Sequence, residues 1–263
     1  RGQPGSRSGR QDGWAAQRTD AAGDVTQRAG GRCAGVVPCR RRIEGDGGAG
    51  VERQEASAEP GDAAARTLEE PLGAVERGAI LPRKDVAAGD VLLGLASSGV
   101  HSNGYSMVRK IVELSGLTWS DAAPFAADKS LGEALMEPTR IYVKPLLSAL
   151  RDGIGIKALA HITGGGFIDN IPRVLPDALA ADIDLGAITP PPVFGWLSQA
   201  GGMSESEMLR TFNCGVGMLV AVAAEDANRL LDSLSASGEI AAVVGQLTAR
   251  SGEPVTFRGK LAL

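Results

Sequence analysis

From Gly73 onward this chain alternates short apolar runs with stretches of helical periodicity, and that alternation most constrains what it can fold into. Val91-Leu-Leu-Gly-Leu95 is an apolar run bounded by turn residues, which reads as a buried strand. Tyr105, Val108, Ile111, Val112 and Leu114 then recur at helical spacing and stop at Gly116, where a helix C-terminus is expected. A loop with Pro124 and Pro138 leads to a helix over 144–151, with Pro145 in its first turn. Residues 156–160 read as a strand, followed by a short helix carrying Phe167, Ile168, Ile171 and Val174. Further strands are expected over 179–183, 216–222 and 240–247, with helices over 193–199, after Ser204, and over 226–234. Strands alternating with helices imply an α/β layer fold.

Residues 1–72 do not share this pattern. Gly, Ala and Arg make up 36 of those 72 residues, all 11 basic residues are Arg, and only eight are Val, Ile, Leu, Met, Phe, Tyr or Trp. So sparse an apolar content cannot offset the entropy cost of ordering a chain. Three readings stand side by side. The segment is a disordered tail; or an RGG-like nucleic-acid arm, against which stand its 11 acidic residues and its lack of aromatics beyond Trp14; or the product of a GC-rich gene read out of frame, because Gly, Ala and Arg have GC-rich codons. The chain therefore divides into a low-complexity segment, 1–72, and an α/β domain, 73–263.

The net charge of −4 falls on the second part, which carries 16 basic and 20 acidic residues, and this argues against nucleic acid as a partner. Cys33, Cys39 and Cys214 form no C-x-x-C pair, so neither a disulfide framework nor a zinc site is expected. No run approaches the roughly 20 apolar residues of a membrane span, and the first residues lack the apolar core of a signal peptide. A cytoplasmic chain without a membrane partner is the expectation.

Chemistry concentrates in two places. The only two histidines head glycine-bearing motifs, His101-Ser102-Asn103-Gly104 and His161-Ile-Thr163-Gly164-Gly165-Gly166, each between a strand and a helix. There backbone N–H groups without helical partners gather around an anion, and glycine lets a ligand approach closely. His101 can donate, accept or shuttle a proton. Plainer readings remain open: Ser102 as a simple cap, His101 as a satisfied surface residue, the glycines as a tight turn. Asn170 and Arg173 follow the glycines and can reach a phosphate or lie at the surface. Asn213 presents an amide before a strand, and Cys214 reads as a buried thiol. The three glycines are followed by no Gly-Lys-Ser/Thr and form no G-x-G-x-x-G, so this motif is neither a Walker loop nor a dinucleotide fingerprint, and no G-x-S-x-G supports a serine hydrolase. A phosphate-bearing small molecule fits better.

Four strings carry a resemblance: S-S-G-V-H-S-N-G-Y-S-M-V-R-K (97–110), E-P-T-R-I-Y-V-K (137–144), H-I-T-G-G-G-F-I-D-N-I-P-R-V-L-P (161–176) and R-T-F-N-C-G-V-G-M (210–218). In order and spacing they resemble the phosphoribosylformylglycinamidine cyclo-ligases, or aminoimidazole ribonucleotide synthetases, over about 73–255. The resemblance implies that family's C-terminal α/β domain and an ATP- and Mg²⁺-dependent ring closure of formylglycinamidine ribonucleotide in purine synthesis. It implies that His101, as candidate catalytic group, borders the substrate cleft with Ser102, Asn103 and Gly104. His161, Thr163, Gly164, Gly165 and Gly166 would hold the phosphate of a phosphoribosyl substrate, with Asn170, Arg173 and Asn213 completing the binding set. The family's D-G-V-G-T-K-like segment, N-D helix and G-G-E-T-like turn, which dimerise and hold ATP and metal, are not in this sequence. The expectation is a C-terminal domain behind a non-native segment, with little turnover alone; the alternative is an inactive fragment that retains a phosphate- or substrate-binding surface. Sibling activities such as thiamine-monophosphate kinase or selenophosphate synthetase match the motifs less closely.

Overall fold

Each apolar run becomes a strand of one sheet. The computed structural model describes residues 75–263; the expectations for residues 1–72 lie outside the described residues. In chain order the elements are β1 (Val91–Ala96), α1 (Tyr105–Ser115), β2 (Ala122–Ala123), β3 (Ala126–Ser130), α2 (Leu131–Leu135), α3 (Val143–Arg151) and β4 (Ile156–His161). They continue with α4 (Gly166–Asn170), β5 (Leu179–Asp184), α5 (Pro192–Gly201), α6 (Glu205–Thr211), β6 (Val216–Val222), α7 (Ala227–Ala236), β7 (Ala241–Ala249) and β8 (Val255–Arg258). The α/β class is as expected from the alternation.

Six strands pair in the order β4-β6-β1-β7-β5-β8, antiparallel throughout except for parallel β5 and β8. Both faces of the sheet are covered at β1 and β6, which is why these two strands are apolar almost without a break rather than alternating. Leu92 of β1 joins a core with Val108, Ile111, Phe167, Phe194 and Phe212, so α1, α4, α5 and α6 cover one face. Its neighbours Leu93 and Leu95 point the other way into a smaller core with Leu146, Ala149, Leu230 and Leu234, contributed by α3 and α7. The sheet is thus the middle of three layers.

Local signals set the helix ends. Gly116 adopts φ 71° and closes α1 in the left-handed conformation that glycine tolerates. Ser204 and Glu207 form a reciprocal capping box at α6. The region from Leu117 to Tyr142 differs from the expected loop: β2 and β3 form a small hairpin, and α2 starts at a second capping box, Ser130 with Glu133. The S-x-x-E signature of that box is present in the sequence, but α2 is too short to show a helical period. The helix after the glycines is also shorter than expected. α4 ends at Asn170 and gives way to a 3-10 turn over Pro172–Val174, because Pro172 has no N–H to extend the α-helical ladder. Among the described residues no helix is long and apolar enough to cross a membrane.

Candidate functional site

The first histidine motif lies between β1 and α1. Gly104 holds φ 70° there, and a Cβ on it would run into the Phe212 ring, so α1 begins on a glycine with no side-chain cap. The turn before it is held from below by Asn213, which is fully buried ahead of β6. Ser97 Oγ donates to Asn213 Oδ1 at 2.8 Å, the Gly215 N–H donates to the same oxygen at 3.0 Å, and Asn213 Nδ2 donates to the Gly99 carbonyl at 2.9 Å. All of its amide contacts are thus inside the chain. The adjacent Cys214 is buried too, and burial pushes its thiol up to about 12, so it is neutral and unreactive at physiological pH.

The second motif follows β4. Gly165 and Gly166 take φ 90° and 57°; a Cβ on Gly166 would collide with the Leu209 carbonyl in α6, and one on Gly165 with the Asp169 carboxylate. Gly164 is different: it is exposed, and nothing lies within 4 Å of where its Cβ would be. Two of the three glycines therefore serve packing, and one leaves open space above the backbone. Asn170, buried beneath the loop, donates from Nδ2 to the carbonyls of Thr163, Gly164 and Gly166 at 3.3, 3.2 and 2.8 Å. Its Oδ1 accepts from Thr163 Oγ1 at 3.1 Å and from the exposed Arg173 at 3.2 Å.

The two motifs meet. The Gly164 N–H donates to Asn103 Oδ1 at 3.1 Å, which places Asn103, Thr163 and Gly164 side by side near the uncapped start of α1. The arrangement brings the uncapped first turn of α1 and small polar side chains to one surface, with the Gly164 N–H itself taken by Asn103. His161 is not brought to this surface. Its exposed side chain lines an apolar groove of about 340 Å³ with Tyr142, Leu146, Leu159 and Met218.

A second, more polar cleft of about 450 Å³ runs beside the first turn of α1, lined by His101, Ser102, Tyr105, Arg109, Glu137 and Thr139. Arg109, Glu137 and Thr139 escaped the local reading of the sequence. Glu137 and Thr139 belong to a segment without periodicity, and their only signal was membership of the E-P-T-R-I-Y-V-K string. His101 itself is 2 % exposed, and burial, then the charges of His161 and Arg140, hold its imidazole down to about 4. It is neutral at pH 7. Among the described residues no three His, Cys, Asp or Glu side chains gather to hold a metal, so these residues form no protein cage for Mg²⁺.

Residues 87–258 match the family described as AIR synthase related protein, C-terminal domain. Among solved structures the chain is similar to thiamine-monophosphate kinase from Stenotrophomonas maltophilia (18 % identity, TM-score 0.47, 72 % of this chain and 56 % of that one). It is also similar to HypE from E. coli (24 %, 0.47, 72 % and 52 %) and to phosphoribosylformylglycinamidine synthase II from Thermotoga maritima (17 %, 0.43, 72 % and 27 %). The chain spans about half the length of the first two and about a quarter of the third. With more than half of its residues matched, this chain belongs to the AIR synthase related family and carries that family's C-terminal domain.

Proposed function

We propose that this chain supplies the phosphoribosyl-binding half of an ATP-dependent cyclo-ligase that closes formylglycinamidine ribonucleotide to aminoimidazole ribonucleotide. The observation that supports it best is the hydrogen bond from Gly164 to Asn103, which joins the two motifs into one surface. In this reading the phosphate sits over Gly164 and Thr163, and Ser102 and Asn103 face the ribose. Asn170 and Asn213 act from below by fixing the two loops, and Arg173 reaches the surface as a cation.

ATP and Mg²⁺ belong to this reading as reactants brought by an ATP-binding half; among the described residues no three ligating side chains gather, and no step is derived through a metal. What this chain does is bind, orient and screen the phosphoribosyl group. Turnover is expected only when the ATP-binding motifs are supplied by another polypeptide or segment.

Gly164→Asp tests the reading. The added Cβ meets no atom within 4 Å, and the carboxylate it carries stands where the phosphate is placed. Ribose 5-phosphate binding, measured by calorimetry, should weaken by about tenfold or more, since like charges in contact cost over 1 kcal/mol, while the thermal midpoint stays unchanged. Undiminished affinity would overturn it. Product analysis with a complementing ATP-binding half separates ring closure from phosphoryl transfer to a thiamine-type substrate, and absence of any product favours a silent binding fragment.

A further inference from the structure

We propose that His101 is a positioning residue whose buried Nε2 accepts backbone N–H groups from two segments at once and so sets the second wall of the ligand-binding surface. The inference rests on the phosphoribosyl reading only in naming what that surface holds.

The geometry is specific. Nε2 lies 3.1 Å from the Ser98 nitrogen, on the turn after β1, and 3.4 Å from the Arg140 nitrogen, in the segment between α2 and α3. An imidazole nitrogen that accepts carries no proton, so the ring is neutral with its hydrogen on Nδ1. His101 holds φ 56°, a left-handed conformation unusual for a non-glycine residue, which persists where the surroundings impose it. A Cβ at Gly217 would strike the imidazole, so the ring has no room to swing toward β6.

Around the ring, residues 138–142 are stitched to residues 96–102. Ser98 Oγ donates to the Pro138 carbonyl at 2.6 Å, Tyr142 donates to the Ala96 carbonyl at 2.8 Å, and the hydroxyls of Ser102 and Thr139 face each other at 3.3 Å. On its far side the segment is held by Arg140, which pairs with Glu239 at 2.8 Å and donates to the Gly238 carbonyl at 3.0 Å. The segment has no regular secondary structure to fix it, yet it carries Thr139 and follows Glu137 on the wall of the cleft. The position of that wall therefore depends on these side-chain bonds, with the imidazole at their centre. Protonation of Nε2 would turn an acceptor into a donor facing two donors. The charged and titratable groups that face the ring are Tyr142 and Arg140 on the same segment and His161 at the end of β4, with Glu239 behind Arg140.

The test uses the whole chain and needs no ligand for its main arms. Long-range nitrogen–proton NMR, with His161→Gln to assign the two histidines, should show His101 as the Nδ1–H tautomer and neutral down to about pH 5; an Nε2–H tautomer, or titration near the ordinary value, would overturn the inference. In His101→Ala, amide exchange at Thr139, Arg140 and Tyr142 should rise by about tenfold or more, as expected for loss of hydrogen bonds, with β1 and β6 amides unchanged. His101→Gln, whose carbonyl can replace Nε2 as acceptor, should restore protection. Unchanged exchange in His101→Ala, or no rescue by His101→Gln, would also overturn it. Ribose 5-phosphate affinity then separates the two proposals: a wild-type chain that shows the tautomer and the exchange pattern but binds no ribose 5-phosphate retains the pinning role of His101 and sinks the phosphoribosyl reading.

Discussion

Asn103 and Gly164, 61 residues apart in the chain, are joined by one hydrogen bond of 3.1 Å, from the Gly164 N–H to the Asn103 side-chain oxygen. Through it the turn that starts α1 and the turn that starts α4 become neighbours. The bond is exposed, so its contribution to stability is small, while its contribution to the shape of the surface is direct.

Asn103→Ala separates these two effects. Loss of one exposed hydrogen bond costs about 1 kcal/mol or less, so the thermal midpoint should move by no more than a few degrees. Ribose 5-phosphate affinity should fall by about fivefold, because the two loops lose their register and about 1 kcal/mol corresponds to that factor. Calorimetry and a melting curve on the same sample check both numbers.

The three glycines should behave differently from one another. Gly166→Ala places a methyl group against the Leu209 carbonyl at a φ of 57°, and strain plus overpacking should destabilise the domain by about 2–4 kcal/mol. Gly164→Ala meets no atom within 4 Å and should leave denaturant midpoints as they are. Equal destabilisation by both substitutions would contradict this division of roles.

Asn213→Ala leaves the Ser97 hydroxyl, the Gly99 carbonyl and the Gly215 N–H without their partner in a buried site. Unsatisfied buried groups cost about 1–3 kcal/mol each, partly relieved by relaxation, so a total loss of about 2–4 kcal/mol is expected. Urea denaturation measures it. Asn213→Asp should fare little better, since it gives up the donor to Gly99 and buries a charge.

Stability should depend on pH through His101. Its ordinary value of 6.5 falls to about 4 in the folded chain, chiefly through burial. Between those two values the unfolded chain binds more protons than the folded one, so stability is fully present above pH 6.5 and is lost as pH falls toward 4. The loss attributable to this group is on the order of 2–3 kcal/mol. Denaturation midpoints of the wild type and His101→Gln, compared from pH 7 to pH 4, isolate it: the variant should show the shallower slope, and parallel curves would remove His101 as the cause.

The elements with the clearest sequence patterns formed as expected. The strands β1 and β6 and the helices α1 and α6 carry a continuous apolar run, a helical period or a cap pair within a dozen residues, and those are local properties. The hairpin β2–β3 and α2 escaped because they are too short for a period to emerge, and β8 because its four residues pair with β5 across a distance no local pattern reveals. Site residues divide the same way. His101 and the glycines announced themselves by composition; Thr139 and Glu137 lie in a segment whose place is set by side-chain bonds to a distant turn.

By itself the sequence determined the α/β class, the motifs that gather near the helix starts, and the lack of a Walker-type Gly-Lys-Ser/Thr or a G-x-S-x-G string. Only the tertiary structure decided that the sheet is antiparallel apart from its β5–β8 edge, because pairing direction depends on contacts between runs far apart in the chain. It also decided what surrounds the two histidines. Two identical-looking side chains at the heads of similar motifs end in opposite environments, one exposed beside an apolar groove and one enclosed as a neutral acceptor. Burial and hydrogen-bond partners, which fix protonation, exist only once the layers have packed.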